Sequence, residues 1–210
     1  LQGPSICIHP LFQELQVFSH VTTQRLMLTA ISQLSLAPDD MMFIAGEEGT
    51  HMSFLTSGTM QYNRVHLEQS YGEVVESNVD WIAEPALWVG EWFHLGDLRS
   101  KTSADLLLVE PGQLQSIARL NPMAFMLFSS YAQKYVVWLN NIEREYLSDI
   151  SQGGRVYPEM AGIVRDISTS MSTKMRASTH SKTSNVTKKT ERSQPTKKRR
   201  PSVEMKSMQL

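Results

Sequence analysis

The chain has 210 residues, 41% of them hydrophobic, and a formal net charge of −1 that conceals an uneven split. Residues 1–150 carry 7 Lys/Arg against 17 Asp/Glu, a net of −10, and residues 151–210 carry 13 against 4, a net of +9, so an acidic domain precedes a basic tail. The only cysteine is Cys7, which excludes an internal disulfide framework and a cysteine-based zinc site and fits a reducing compartment.

In chain order, His9-Pro10-Leu11-Phe12 reads as a helix start and predicts a short helix over Leu11 to Phe18. Leu26, Ala30, Ile31 and Leu34 recur at helical spacing, with Thr22 or Thr23 able to cap, and predict a second helix from about Thr22 to Leu34. Met41 to Tyr62 is the centre of the pattern. Met41 to Ala45 and Met52 to Thr56 are apolar runs too short for helices, and Gly46, Gly49 and Gly58 sit where the backbone must reverse, so this stretch predicts a β-meander.

A polar stretch from Asn63 to Asp80 follows, with a turn at Tyr71-Gly72 and a strand at Val74-Val75. Trp81 to Trp88 reads as a strand end entering one helical turn, and Leu95 to Lys101 and Asp105 to Val109 as the closing strands. A short helix over Gln113 to Leu120 is predicted next; Asn121-Pro122 then caps a long one to about Ile150. Phe125, Phe128, Tyr131, Tyr135, Trp138, Leu139 and Ile142 form its aromatic stripe, which serves either as core packing or as a partner-binding face. From Ser151 onward Gly153-Gly154 and a Ser/Thr/Lys/Arg-rich composition predict disorder. The domains are therefore 6–150 and a basic tail, 151–210.

Gly46-Glu47-Glu48-Gly49-Thr50-His51-Met52-Ser53-Phe54-Leu55-Thr56-Ser57-Gly58 resembles the Gly-acid-x-Gly core of cyclic nucleotide-binding domains, and the likeness runs from Pro38-Asp39-Asp40 to about Ile150. The resemblance implies an α+β fold: a jelly-roll-like β-roll flanked by N-terminal helices and a long C-terminal helix. It also implies a ligand, cAMP or cGMP, and no other cofactor. In the family a short cassette helix holds the nucleotide, with a carboxylate on the ribose and an arginine on the cyclic phosphate.

Ala83-Glu84-Pro85-Ala86-Leu87 is similar to that cassette, with Ala83 in place of glycine, so Glu84 inherits the ribose role and Ala83, Ala86 and Leu87 line the ligand. The arginine's place falls near Phe93 and His94; His94 lacks a guanidinium fork, and Arg99 is the nearby arginine. Losing a charged phosphate contact costs about 1.5 to 3 kcal/mol, which leaves two outcomes open: weak or absent nucleotide binding, or ordinary binding carried by the cassette amides. Enzymatic readings find no support. His51 and His66 stand on separate elements rather than as a clustered metal set, and no hydrolase, phosphate-loop or His-Glu-x-x-His motif is present.

His9-Pro10-Leu11-Phe12, Glu84 to Trp88, and Tyr131-Ala132 and Leu139-Asn140 before Leu147-Ser148-Asp149 look most like the cytosolic end of voltage-gated, potassium-channel-like cation channels. That implies a regulatory module at the cytoplasmic face of a membrane, whose partners are sister subunits and an upstream transmembrane region. Met123 to Leu139, the most apolar run, is interrupted by polar residues and falls short of the ~20 apolar residues of a span. No N-terminal signal peptide is visible, and the opening on Leu1 is read as the start of a fragment. The alternative is a soluble sensor or scaffold of the protein-kinase-regulatory type. Lys188-Lys189 and Lys197 to Arg200 suit anionic lipid or an acidic protein surface rather than a specific nucleic acid. Arg199-Arg200-Pro201-Ser202-Val203 resembles a cyclic-nucleotide-dependent kinase site, with Ser202 the phosphorylated residue.

Overall fold

The computed structural model describes residues 6–64 and 72–186. His66, Ser202 and the two basic clusters lie outside them. The described residues up to Ser170 form one compact unit and those from Met171 a second, the latter helical to Val186.

Helix α1 (Pro10–Phe18) starts where His9 caps it: Nδ1 accepts from the Leu11 amide at 3.2 Å, and Pro10 fills the first position, where no amide is needed. Helix α2 (His20–Thr29) is capped by Ser19, whose Oγ accepts from the Thr22 amide at 3.2 Å. It stops earlier than the spacing predicted. Ile31–Leu36 is strand β1, paired antiparallel at all six positions with Ala104–Val109 (β8), so tertiary pairing overrides the helical spacing of Ile31 and Leu34.

The remaining strands are β2 (Met41–Phe43), β3 (Met52–Ser57), β4 (Thr59–Arg64), β5 (Glu73–Glu76), β6 (Trp81–Ile82), β7 (Gly96–Ser100) and β9 (Ile150–Ser151). They make two antiparallel sheets, ordered β1-β8-β3-β6-β9 and β2-β7-β4-β5. The chain crosses from one sheet to the other at Gly58, whose φ is +85° and where a Cβ would lie 2.3 Å from the Ser103 carbonyl oxygen. Phe43, Leu55, Met60, Tyr62, Leu98 and Leu106, drawn from both sheets, form one buried cluster inside the roll.

Helix α3 (Pro85–Trp88) interrupts the roll, and α4 (Pro111–Arg119) and α5 (Pro122–Asn140) follow it. Asn121 caps α5 by accepting from the Met123 and Ala124 amides. The aromatic stripe divides: Phe128, Tyr131 and Tyr135 are buried, whereas Phe125 is half exposed. Contrary to the predicted run to Ile150, α5 ends at Asn140. Asn141 Nδ2 donates to the Val137 carbonyl, a 3₁₀ turn (Arg144–Tyr146) follows, and the chain returns as β9 against β6.

The segment from Ser151 to Val186, expected to be disordered, is instead the end of β9 followed by helix α6 (Gly153–Val186). Two features explain it. Gly153 is a close approach rather than a break, since a Cβ there would sit 2.2 Å from the Val79 carbonyl oxygen, and its amide donates to Asp80 Oδ1 at 3.0 Å. Met160, Val164 and Ile167 then recur at helical spacing and are buried, an apolar stripe hidden by polar neighbours.

Candidate functional site

Two buried carboxylates organise the region that the cassette resemblance singled out. The first is Glu84, at the entry to α3. Ala83 before it takes φ +54°, a left-handed conformation that L residues other than Gly, Asn and Asp rarely adopt. This turn sends the Glu84 side chain inward, where it is fully buried. Oε1 accepts from Tyr131 Oη at 2.7 Å and from Trp88 Nε1 at 3.2 Å, with His9 Nε2 also 3.2 Å away; Oε2 accepts from Trp81 Nε1 at 2.7 Å. The Leu11 amide already donates to His9 Nδ1, so in the neutral ring the proton sits on Nε2 and points at Glu84.

Burial alone would push the Glu84 carboxyl up, but the electrostatic attraction of His9 and the hydrogen bonds from His9, Tyr131 and Trp81 outweigh it and hold the group below its ordinary value. Burial, and then the Glu84 charge, raise the Tyr131 and Tyr135 phenols well above theirs. Glu84 thus joins α1, the β6 edge, α3 and α5 through four donors.

The second carboxylate is Asp149, just before β9, also fully buried. Its Oδ2 accepts from Tyr62 Oη and the Leu95 amide, both at 2.7 Å, and its Oδ1 from Trp92 Nε1 at 2.8 Å and His94 Nδ1 at 3.1 Å. Phe43 stacks on the His94 ring at 3.5 Å, 3° from parallel. Burial, followed by the Asp149 charge and hydrogen bond, pushes the Tyr62 phenol far above its usual value. The Asp149 carbonyl accepts from the Ala83 amide at 2.7 Å, so the two carboxylates are linked through the cassette turn.

Each sequence-predicted site residue now has a place. Glu84 does not present its carboxylate to a ribose: both oxygens are taken up internally, and it is not among the residues lining the cavity of the roll. Ala83 lines that cavity, Ala86 is buried, and Leu87 faces a separate groove of about 320 Å³ with Trp88, Leu114 and Phe128. His94, counted to the arginine's position, does meet an anion, but it is the chain's own Asp149. Arg99 stands between buried Leu98 and Ser100 on β7, so alternation turns it to solvent, where it lies 3.8 Å from Asp39. Among the described residues no His/Cys/Asp/Glu cluster could hold a metal, and His51 Nδ1 is 2.7 Å from Thr50 Oγ1.

The N-terminal domain of a transcriptional regulator from Streptomyces coelicolor A3(2) is similar in structure, with a TM-score of 0.52 and 22% identity, covering 67% of this chain and 94% of that one. The C-linker/CNBHD of zELK channels, crystallised in the presence of cAMP, gives a TM-score of 0.50 and 21% identity over 61% of this chain and 62% of that one. The fold is that of a cyclic nucleotide-binding domain. The sensor domain of the regulator DNR from Pseudomonas aeruginosa is also similar, with a TM-score of 0.49 and 21% identity over 70% of this chain and 95% of that one. No protein-family model matches the sequence, and no curated protein matches it.

Within this cyclic nucleotide-binding fold, sequence reasoning missed His9, Tyr62, Trp92, Tyr131 and Asp149 as members of the site. The signal available for Asp149 was an acid in an otherwise apolar return to the sheet, Leu147-Ser148-Asp149-Ile150. Among the described residues no helix is long and apolar enough to cross a membrane.

Proposed function

We propose that this chain is a non-catalytic regulatory module of cyclic nucleotide-binding fold that supplies its own anion, and that it works as the cytosolic gating and assembly module of a voltage-gated, potassium-channel-like cation channel. The observation that carries this is the Asp149 carboxylate: a main-chain amide, an imidazole, an indole and a phenol converge on it at 2.7 to 3.1 Å. Such a donor set suits a small anion, and an internal carboxylate there competes with any external phosphate at very high effective concentration. The internal ligation of Glu84 supports the same reading, because the cassette carboxylate is not free for a ribose.

Calorimetric titration of the chain with cAMP and cGMP tests it. The expected outcome is no heat of binding at millimolar nucleotide. Micromolar binding by the wild type overturns the self-supplied anion. The channel half is tested separately by sequencing the transcript upstream of Leu1: several apolar segments of ~20 residues are expected, and their absence shifts the reading to a soluble sensor or scaffold.

A further inference from the structure

The roll contains a second polar feature that the two carboxylate sites leave unused. A cavity of about 190 Å³ opens between the Gly46 to Gly49 turn and the sheets, and Ser53 lines it. Ser53 is 1% exposed, its main chain is paired between β6 and β8, and its Oγ is a buried side-chain oxygen with no hydrogen-bond partner among the described residues. Native structures rarely leave a buried hydroxyl unpaired, and such a group aimed into a cavity points to an occupant.

The remaining lining states which occupant. Ile82, Leu108 and Met42 form apolar walls, and Glu47 and Glu48 stand exposed at the mouth; no Lys or Arg lines the cavity. Thr50 and His51 complete the polar lining, their side chains 2.7 Å apart, and His94 stands at its wall with Nδ1 3.1 Å from Asp149 Oδ1. The carboxylates only accept, and Ser53 can do so. An anion meets two carboxylates and no Lys or Arg there. The volume equals roughly six waters at their ~30 Å³ share of the liquid.

We infer that this cavity binds a small organic cation whose charge is carried on N–H donors, such as a short alkylammonium or guanidinium. Its head hydrogen-bonds Ser53 while Glu47 and Glu48 supply the field at the mouth. The site is distinct from the Asp149 seat, with which it shares only the His94 ring. It follows from the cavity's own lining.

The test is methyl NMR of the whole chain, following Ile82, Leu108 and Met42 during titration with propylammonium and with methylguanidinium. Phosphate and acetate at matched ionic strength serve as anion controls. Saturable shifts with the cations and none with the anions are expected. The Glu47→Gln, Glu48→Gln double variant is expected to bind about tenfold more weakly, and Ser53→Ala about 2- to 10-fold more weakly. Ser53→Ala deletes the unpaired oxygen, so its fold is retained and its result is interpretable if the double variant unfolds. The absence of saturable shifts, equal response to anions, or wild-type affinity in folded Ser53→Ala and double variants each overturns the proposal.

Discussion

Glu84 and Asp149 are both fully buried carboxylates with four donors apiece, yet they are built from different parts of the chain. The donors to Glu84 come from the helical layer and its border with the roll: His9 before α1, Trp81 and Trp88 around the cassette, and Tyr131 in α5. Those to Asp149 come from the roll and its loops: Tyr62, Trp92, His94 and a main-chain amide at Leu95. The first donor set is all side chain and fits only what the helices bring together. The second includes main chain, the Leu95 amide next to β7, so it depends less on what the helices bring together. The difference separates a structural fastener from a seat.

The largest expected effect comes from removing the fastener. Glu84→Ala leaves buried His9, Trp81 and Tyr131 donors without a partner and should cost about 3 to 5 kcal/mol, read as the shift in a guanidinium unfolding midpoint; a loss under 1 kcal/mol would erase the distinction. Asp149→Ala should cost less, about 1.5 to 3 kcal/mol. Amide exchange should accelerate at Leu95 while the α5 amides keep their protection. Equal loosening of α5 would make the two carboxylates one cooperative unit.

pH sharpens the same contrast. The folded-state pKa of Glu84 is lowered, so its stabilisation is present above the unfolded value, near 4.3 for a free Glu, and is lost as pH falls through the folded value. Tyr62, Tyr131 and Tyr135 are raised, so their contribution is present below the unfolded value near 10 and is lost as pH climbs beyond it. Unfolding midpoints between pH 3 and 11 should therefore fall at both ends, and Glu84→Gln should flatten the acid arm and, by removing a charge that helps raise Tyr131 and Tyr135, weaken part of the alkaline arm. The smallest effect is expected from Arg99→Ala. Its half-exposed ion pair with exposed Asp39 at 3.8 Å is worth under about 1 kcal/mol, and any larger loss would show that Arg99 belongs to the site after all.

The roll was legible in the sequence because its punctuation is local. Gly46 and Gly58 do take positive φ, and the short apolar runs between them are strands. Helix ends were harder. Ile31 and Leu34 fit a helical repeat and a strand equally well, and only pairing with β8 decides between them. Met160, Val164 and Ile167 make an apolar stripe too sparse to outweigh a Ser/Thr-rich composition. The site was half legible. Glu84 was found by its motif, but the sign of its role depended on Ala83, whose left-handed turn points the carboxylate inward. Asp149 escaped because its partners lie 54 to 87 positions away, beyond the reach of any local pattern.

That separation sets a schedule. Leu95 and His94 leave the ribosome 54 and 55 residues before Asp149, which at about 5 to 20 residues per second is an interval of roughly 3 to 10 s. During that time the amide, the imidazole and the indole exist without the carboxylate that later quenches them. The donor set is thus completed only by the last strand of the roll, and its three early members have water alone as a partner until Asp149 arrives.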